Sequence, residues 1–247
     1  MSNTTAPNEV ISLIDRHRTI RAFRDEPMPA DHLQLIIDAG RKAPTDATAQ
    51  MYSFIRITDP DLRKLIAELA GGQAHVVRAS EFFIVCADVH RIARMLEHRG
   101  EKMGHWPRVA IHFAVADATL VAQTMVIAAE SLGYGICYIG GVLNGIDVIS
   151  RELKLPVGVL PAYGLCIGIP NEYPNRRPRV PQHLVVMENQ YVEPSAADLD
   201  EAYTAMAPIT RSGDWFAVLQ RYFAPGGTME QREVLYRETL KQQGLED

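Results

Sequence analysis

Residues 109–132 read VAIHFAVADATLVAQTMVIAAESL and form the most apolar helix candidate of the chain. Between Asp117 and Glu130, apolar residues surround the predicted helix on nearly every side. Such a helix is buried on most of its faces. In a single domain it is expected to be the central helix or part of a subunit interface. A membrane span is not expected, because His112, Asp117, Gln123 and Glu130 interrupt the apolar run.

The flanking segments mix helices and strands without strict alternation, which favours an α+β class over a doubly wound sheet. Helical spacing of apolar residues predicts helices, and alternating β-branched residues predict strands. Asp59 and Pro60 supply a capping carboxylate and a first-turn proline for one helix. Helices are predicted over residues 10–16, 31–42, 61–70, 109–132, 144–153, 198–206, 214–222 and 229–243, with another ending near residue 98. Strands are predicted over residues 53–58, 82–87, 135–139, 162–168 and 184–187.

The amino-acid composition restricts the classes of molecule that the chain is expected to bind. The chain has 247 residues, enough for one full core with excursions, and its 47% hydrophobic and 22% charged content is ordinary for a soluble globular protein. A net charge of −5 and a pI near 5.9 argue against nucleic acid as a partner. Local clusters of arginine in such an acidic protein instead indicate a small anion.

The cysteines and the first residues indicate a cytoplasmic protein. Cys86, Cys137 and Cys166 are odd in number, form no CxxC pair and lie in apolar stretches, so buried, unreactive thiols in a reducing compartment are expected. Residues 1–8 are polar and lack the basic start and apolar centre of a secretory signal.

Motifs of several enzyme classes are missing from the sequence. It contains no GxSxG, HExxH, Walker or GxGxxG motif, and no pair of carboxylates stands out. His98, His105 and His112 recur every seven residues, but Gly104 and Pro107 interrupt any helix that could align them. No metal site is therefore predicted.

Three separate segments could together bind a phosphate-bearing planar molecule. They are HRTIRAF at residues 17–23, RRPR at residues 176–179 and YIGG at residues 138–141. Guanidinium groups donate paired hydrogen bonds to phosphate, and a Gly-Gly pair lets backbone N–H groups approach a flat ligand. Flavin mononucleotide (FMN) fits this description. Each segment alone also has an ordinary explanation, as a helix C-terminus, a solvated loop or a turn.

The same segments, in this order, resemble the nitroreductase family of FMN enzymes. HRTIRAF is similar to the family's R-R-S-x-R-x-F opening, and RKAPT at residues 41–45 is similar to its second signature. Residues 53–59, 71–75, 128–133, 138–141 and 165–168 resemble the NADPH-preferring branch of oxygen-insensitive nitroreductases and flavin reductase P. The resemblance covers about residues 9–195.

The resemblance implies a nitroreductase-like α+β fold with a mixed central sheet, in a domain-entwined homodimer that holds FMN between subunits. It implies an FMN-binding core over residues 1–195 and a C-terminal helical excursion over residues 196–247, packed on the core or on the partner subunit. It also implies an oxidoreductase that passes hydride from NADPH or NADH through FMN to nitroaromatic, quinone or flavin acceptors.

The resemblance also assigns site residues. The phosphate would be bound by His17, Arg18, Arg177 and Arg179. The flavin ring or ribityl chain would face Thr19, Arg21, Thr45, Gln50 and Gln73, and the platform would be Tyr138, Ile139, Gly140 and Gly141. No side chain is assigned acid–base catalysis; Arg21 and Gly141 would support chemistry that FMN itself carries out.

Two departures from the family pattern concern cations. Arg177 stands where the branch usually has a lysine, which keeps the charge and changes the hydrogen-bond geometry. The loop that usually binds the 2′-phosphate of NADPH with several basic residues is short here and offers only Arg211. Residues 100–108 have no counterpart in the family. Related alternatives are reductive dehalogenation, flavin fragmentation and a flavin-binding protein without turnover.

Overall fold

The computed structural model describes residues 8–210 and 213–246. Helices and strands are interleaved along this part of the chain. The helices are α1 (Glu9–Asp15), α2 (Ala30–Gly40), α3 (Pro60–Leu69), α4 (Ala74–Arg78), α5 (His90–His98), α6 (Pro107–Ser131), α7 (Ile146–Glu152), α8 (Ala196–Met206), α9 (Trp215–Phe223) and α10 (Thr228–Gln242). The strands are β1 (Tyr52–Arg56), β2 (Glu81–Asp88), β3 (Gly135–Ile139) and β4 (Val159–Gly168).

The four strands form one sheet in the order β1-β2-β4-β3, and every neighbouring pair is antiparallel. Every residue of β2 is buried, so β2 and β4 form the centre and β1 and β3 form the edges. An isolated parallel bridge between Thr19 and Ile136 extends the sheet at its β3 edge. The predicted α+β class is confirmed.

The long helix α6 is central, as its sequence predicts. It packs on α2 and on β2, and the approach to α2 is so close that a Cβ on Gly40 would lie 2.4 Å from Met125 Cγ. One stripe at helical spacing, Ala116, Thr119, Leu120 and Gln123, is nevertheless exposed. The helix is long and apolar enough to cross a membrane by composition alone, but its buried face marks it as a core helix.

The chain divides into two compact units. The first unit contains Met1–Pro174 and Val234–Asp247, and the second contains Asn175–Glu233. In the first unit the last residues return to the core, because Gly158 N donates to Gln243 O at 2.8 Å and Leu245 is buried. The division into residues 1–195 and 196–247 stays a prediction.

The strand predicted over residues 184–187 is wrong. Gln182–Leu184 forms one turn of 3₁₀ helix, and the N–H groups of Val185 and Val186 both bond to Gln182 O. Because these N–H groups bond locally, they are not available for a neighbouring strand. Apolar composition alone does not distinguish the two structures.

Two other predictions about local structure are confirmed. The Asp59 carboxylate caps α3 by accepting from the N–H groups of Asp61 and Leu62, each at 2.9 Å. The thiols of Cys86, Cys137 and Cys166 are all buried. Burial raises the pKa of the Cys86 and Cys166 thiols well above its ordinary value, so their reactive thiolate form is disfavoured.

Candidate active site

The arginine-bearing segment near the N-terminus lies along the β3 edge of the sheet. Ile20 N donates to Ile136 O at 2.9 Å, and Arg24 N donates to Ile169 O at 2.9 Å. The side chain of Ile20 is buried and packs so closely that a Cβ on Gly135 would lie 2.6 Å from it. The buried residues of the segment therefore fix its path, and the residues between them carry the polar groups.

His17 and Arg18 are each held by a partner distant in sequence. His17 Nδ1 lies 2.7 Å from the Glu130 carboxylate at the end of α6. Arg18 Nε donates to Pro174 O at 2.7 Å, and its Nη1 donates to Arg16 O at 3.0 Å. Both side chains line a cavity of about 300 Å³. A guanidinium has five N–H donors, so Arg18 keeps donors for a ligand.

Arg21 lies close to a buried histidine. The backbone N–H groups of Arg21 and Ala22 both donate to the Glu172 carboxylate, the second at 3.0 Å. Burial lowers the pKa of His75, the positive charge of Arg21 lowers it further, and Glu172 opposes the shift. The His75 ring lies 3.7 Å from the Cys137 thiol on β3. Arg21 therefore presents its charge at the same edge of the sheet as the predicted platform.

The predicted platform follows directly from β3. The strand ends at Ile139, and a 3₁₀ turn begins at Gly140. Gly141 packs against the α3–α4 turn, since a Cβ there would lie 2.3 Å from Ala70 O and 2.6 Å from Gln73 Nε2. Around Gly140, in contrast, nothing lies within 4 Å of such a Cβ. The backbone is thus tightly supported at one glycine and open at the other.

Tyr138 precedes the platform and is held by α6 and β4. Its hydroxyl donates to Gln123 Oε1 at 3.3 Å, and its ring packs edge-to-face on Tyr163 at 5.2 Å. Burial raises the pKa of Tyr138, and the nearby Tyr163 and Glu130 raise it further. The side chain therefore acts as a neutral support.

Thr45 and Gln50 lie in a loop with unusual backbone angles. Ala47, Thr48 and Gln50 have φ values of 46°, 56° and 54°. This left-handed conformation is disfavoured for residues with a side chain, at a cost on the order of 1–3 kcal/mol each. Asp117, buried in α6, accepts from Asp46 N at 2.8 Å and from Met51 N at 2.9 Å. The loop is thus tied to the core at both ends.

The predicted residues form two groups within the chain. The loop of Thr45 and Gln50 leads into β1, whereas the platform follows β3 at the opposite edge, three strand spacings or about 14 Å away. Along α6, Asp117 and Glu130 are 13 residues apart, which corresponds to about 20 Å. The β3 edge gathers one group, which comprises His17, Arg18, Thr19, Arg21, Gln73, Tyr138, Ile139, Gly140 and Gly141. Thr45 and Gln50 are not brought to it.

The three remaining predicted cations are Arg177, Arg179 and Arg211. Arg177 and Arg179 are exposed and lie in the second unit, where Arg179 Nη1 donates to Arg177 O at 3.0 Å and to Pro178 O at 3.1 Å. Arg211 lies outside the described residues.

The sequence interpretation missed the carboxylates that hold the predicted site segments in place. Glu130, Glu172 and Asp117 each hold a predicted site segment, although no pair of acids stands out in the sequence. Their partners are 66 to 151 residues away, so no local pattern shows the contacts. Asp117 did offer one signal: an acid within an apolar helix must be paired if it is buried.

Among the described residues, one group of side chains is close enough to share a metal ion: His183, Asp198 and Glu201. His183 Nε2 lies 3.1 Å from Asp198 Oδ1, while Asp198 Oδ2 accepts from Ser195 in the capping box of α8. A helix cap and an ion pair explain the cluster without a metal.

Comparisons with known proteins agree on one family. Residues 14–169 match the model of the Nitroreductase family. FMN reductase (NADPH) of Bacillus subtilis is 38% identical over 186 residues, covering 74% of this chain and 75% of the relative. Oxygen-insensitive NADPH nitroreductase of Salmonella typhimurium is 42% identical over 181 residues, covering 73% and 74%.

Solved structures show the same similarity over nearly the whole chain. NADPH:FMN oxidoreductase from Vibrio harveyi complexed with NAD⁺ has a TM-score of 0.85 at 31% identity and covers 94% of this chain and 98% of that one. The NfrA1 nitroreductase from B. subtilis has a TM-score of 0.87 at 31% identity and covers 96% and 98%.

Proposed function

The chain belongs to the nitroreductase family, and we propose that two copies of it build each FMN site together. It is an oxidoreductase that uses NAD(P)H and FMN to reduce nitroaromatic or flavin acceptors. Quinones are further proposed acceptors, because an electron-poor planar group that stacks on the ring suffices for hydride transfer. The observation that carries the proposal is the cationic β3 edge beside an open backbone at Gly140.

The residues at this edge fit FMN. His17, Arg18 and Arg21 supply positive charge for a phosphate monoester, which carries about −1.5 to −2 charges. Arg177 and Arg179 are proposed to complete the clamp. The free space at Gly140 and the support at Gly141 suit a flat ring that meets backbone N–H groups directly. The chemistry of the donors and the shape of the backbone thus agree.

Bound FMN supplies the hydride chemistry. The chain's residues bind and orient the reactants. Arg18 is proposed to bind the phosphate; the Pro174 and Arg16 carbonyls already hold its side chain, so little side-chain freedom would be lost on binding. Arg21 would place a positive charge near the ring, which gains negative charge on reduction. Thr19, Gln73 and Tyr138 to Gly141 are proposed to orient the ring.

The two separated groups support the proposed homodimer. One protomer places Thr45 and Gln50 at the β1 edge, opposite the other predicted contacts. A second copy could bring its own loop to the site, and the exposed stripe at Ala116, Leu120 and Gln123 supplies a surface for it. We propose that this stripe lies in the interface and that residues 196–247 form an excursion packed on the core or on the partner copy. A cytoplasmic location is also proposed.

A single site for both reactants predicts ping-pong kinetics. The nicotinamide must leave the open face before an acceptor can stack there, so the two substrates cannot be bound together. We expect parallel double-reciprocal lines when NADPH and a nitroaromatic acceptor are varied in steady state. Intersecting lines would require simultaneous binding and would contradict a shared face.

With Arg211 as its basic residue for the 2′-phosphate, the protein is expected to discriminate only modestly between NADPH and NADH. One charged contact at a protein surface contributes on the order of 1 kcal/mol, or about fivefold. We expect activity with both NADPH and NADH, a mild preference for NADPH at low salt, and loss of that preference in Arg211→Ala. Added salt should also reduce it. Strong selectivity for NADPH that survives the substitution, or an absolute requirement for NADH, would contradict the assignment.

The test of the proposed function begins with the purified protein. It should be yellow, and the released cofactor should be FMN and not FAD, because the clamp fits one terminal phosphate. Anaerobic titration with NADPH or NADH should bleach the flavin, and nitroaromatics, quinones or free flavin should restore the colour. Protein that binds no FMN would refute the proposal. Bound flavin that no nicotinamide bleaches would indicate a flavin carrier without turnover.

A further inference from the structure

The loop that carries Thr45 and Gln50 holds a shape that its own sequence disfavours. Ala47, Thr48 and Gln50 all adopt the left-handed conformation, and none of them is glycine. Such residues persist only where the surroundings impose the conformation, and they concentrate at functional sites. The bonds within the loop are short-range, such as Ala49 N to Asp46 O at 2.8 Å. An external constraint is therefore needed.

Asp117 supplies that constraint. Its side chain lies in α6, the residue is 1% exposed, and its two oxygens accept from Asp46 N and Met51 N at opposite ends of the loop. On the outer side, Arg91 Nη2 donates to Gln50 O at 2.8 Å and also to Tyr52 O. An isolated buried carboxylate is costly, and an apolar residue fits the core side of α6 better. The acid is explained by the two N–H groups that it holds.

We propose that Asp117 is a positioning residue for the flavin site. It fixes the 45–51 loop so that Thr45 and Gln50 meet the flavin bound at the β3 edge of the other copy, an inference that rests on the proposed function. Arg91 supports the loop from the solvent side. Each copy would therefore use a buried acid in its own core to shape a cofactor contact across the interface.

The test is Asp117→Asn. The amide keeps the size of the carboxylate but offers one acceptor oxygen, and its NH₂ group faces a backbone N–H. Because Met51 is buried, its N–H could not find water in compensation. We expect faster amide hydrogen exchange in residues 45–51 of the purified protein. We also expect an FMN dissociation constant raised about tenfold, the loss of one charge-assisted hydrogen bond.

Glu81→Gln is the matched control, since it makes the same change at another buried carboxylate. Glu81 pairs with Arg56 in a two-pronged contact of 2.6 and 2.7 Å and does not touch the loop. This variant should lower the melting temperature while exchange in residues 45–51 and FMN affinity stay as in the wild type. If Asp117→Asn does not fold, Arg91→Met, at a half-exposed side chain, should loosen the same loop from outside.

Each outcome decides a separate point. Unchanged exchange in residues 45–51 of Asp117→Asn would overturn the constraint itself. Faster exchange with wild-type FMN affinity would overturn the role at the flavin. If Glu81→Gln lost the same FMN affinity, the faster exchange and the weaker FMN binding of Asp117→Asn would both be explained by general destabilisation. Wild-type protein that binds no FMN would refute the proposed function, and the exchange comparison would still decide whether Asp117 holds the loop.

Discussion

Arg18→Ala is expected to weaken FMN retention roughly 10- to 100-fold, because a charge-assisted hydrogen bond contributes roughly 1.5–3 kcal/mol. Two carbonyls already aim the guanidinium, so Arg18→Lys should rescue only part of the affinity. Arg179→Ala should act in the same direction. The measurement is FMN affinity by quenching of flavin fluorescence. The control is Arg24→Ala, at an exposed arginine whose guanidinium lies 4.0 Å from the exposed Glu26 carboxylate. Wild-type affinity in both Arg18→Ala and Arg179→Ala would remove these residues from the site.

A mixed dimer would extend this test to the proposed interface. Pairing an Arg18→Ala copy with a Gln50→Ala copy should leave one intact site per dimer if each site takes its phosphate segment and its loop from different copies. The other site would then carry both substitutions. If both segments of a site came from one copy, every site would carry one substitution and no wild-type affinity would remain. Titration of the mixed dimer with FMN distinguishes the two patterns.

Gly141→Ala is expected to disrupt the platform and to destabilise the fold. The new methyl group would lie 2.3 Å from a backbone carbonyl, so the strand end or the α3–α4 turn must move. Overpacking of this kind costs about 1–3 kcal/mol, which lowers the melting temperature by roughly 2–12 °C in a protein of this size. FMN affinity should fall as well, because the displaced backbone is the proposed ring support.

Gly140→Ala is the matched comparison for that substitution. Nothing lies within 4 Å of its Cβ position, so the melting temperature of the protein without cofactor should not change. FMN affinity should nevertheless fall, because the proposed ring occupies that space. Equal and unchanged FMN affinity in both alanine variants would show that the ring does not lie on this turn.

Local patterns in the sequence predicted most of the fold. The apolar face of α6, the cap at Asp59 and the strand over residues 135–139 each depend on neighbouring residues, and the structure has all of them. The strand predicted over residues 184–187 was wrong because an apolar segment becomes a strand only where a partner edge is available.

The site could be predicted only in part, for the same physical reason. Motif segments such as His17–Phe23 carry their chemistry within a few residues, so their polar character is visible in the sequence. The acids that hold these segments come from distant positions, as Glu172 does for Arg21. Ala47 and Thr48 adopt the left-handed conformation although neither is glycine, so the sequence gives no sign of it. The separation of Thr45 and Gln50 from the β3 edge depends on strand order, which no local pattern determines.

The burial of the three cysteines has a consequence for durability. An enzyme that passes electrons to electron-poor aromatic compounds works among electrophiles, and exposed thiolates are the protein groups that such compounds alkylate first. With Cys86, Cys137 and Cys166 buried and thiolate formation disfavoured at two of them, the thiols of this chain are poorly placed for adduct formation or oxidation. We therefore expect that damage to cysteine does not limit its working lifetime in the presence of its own substrates.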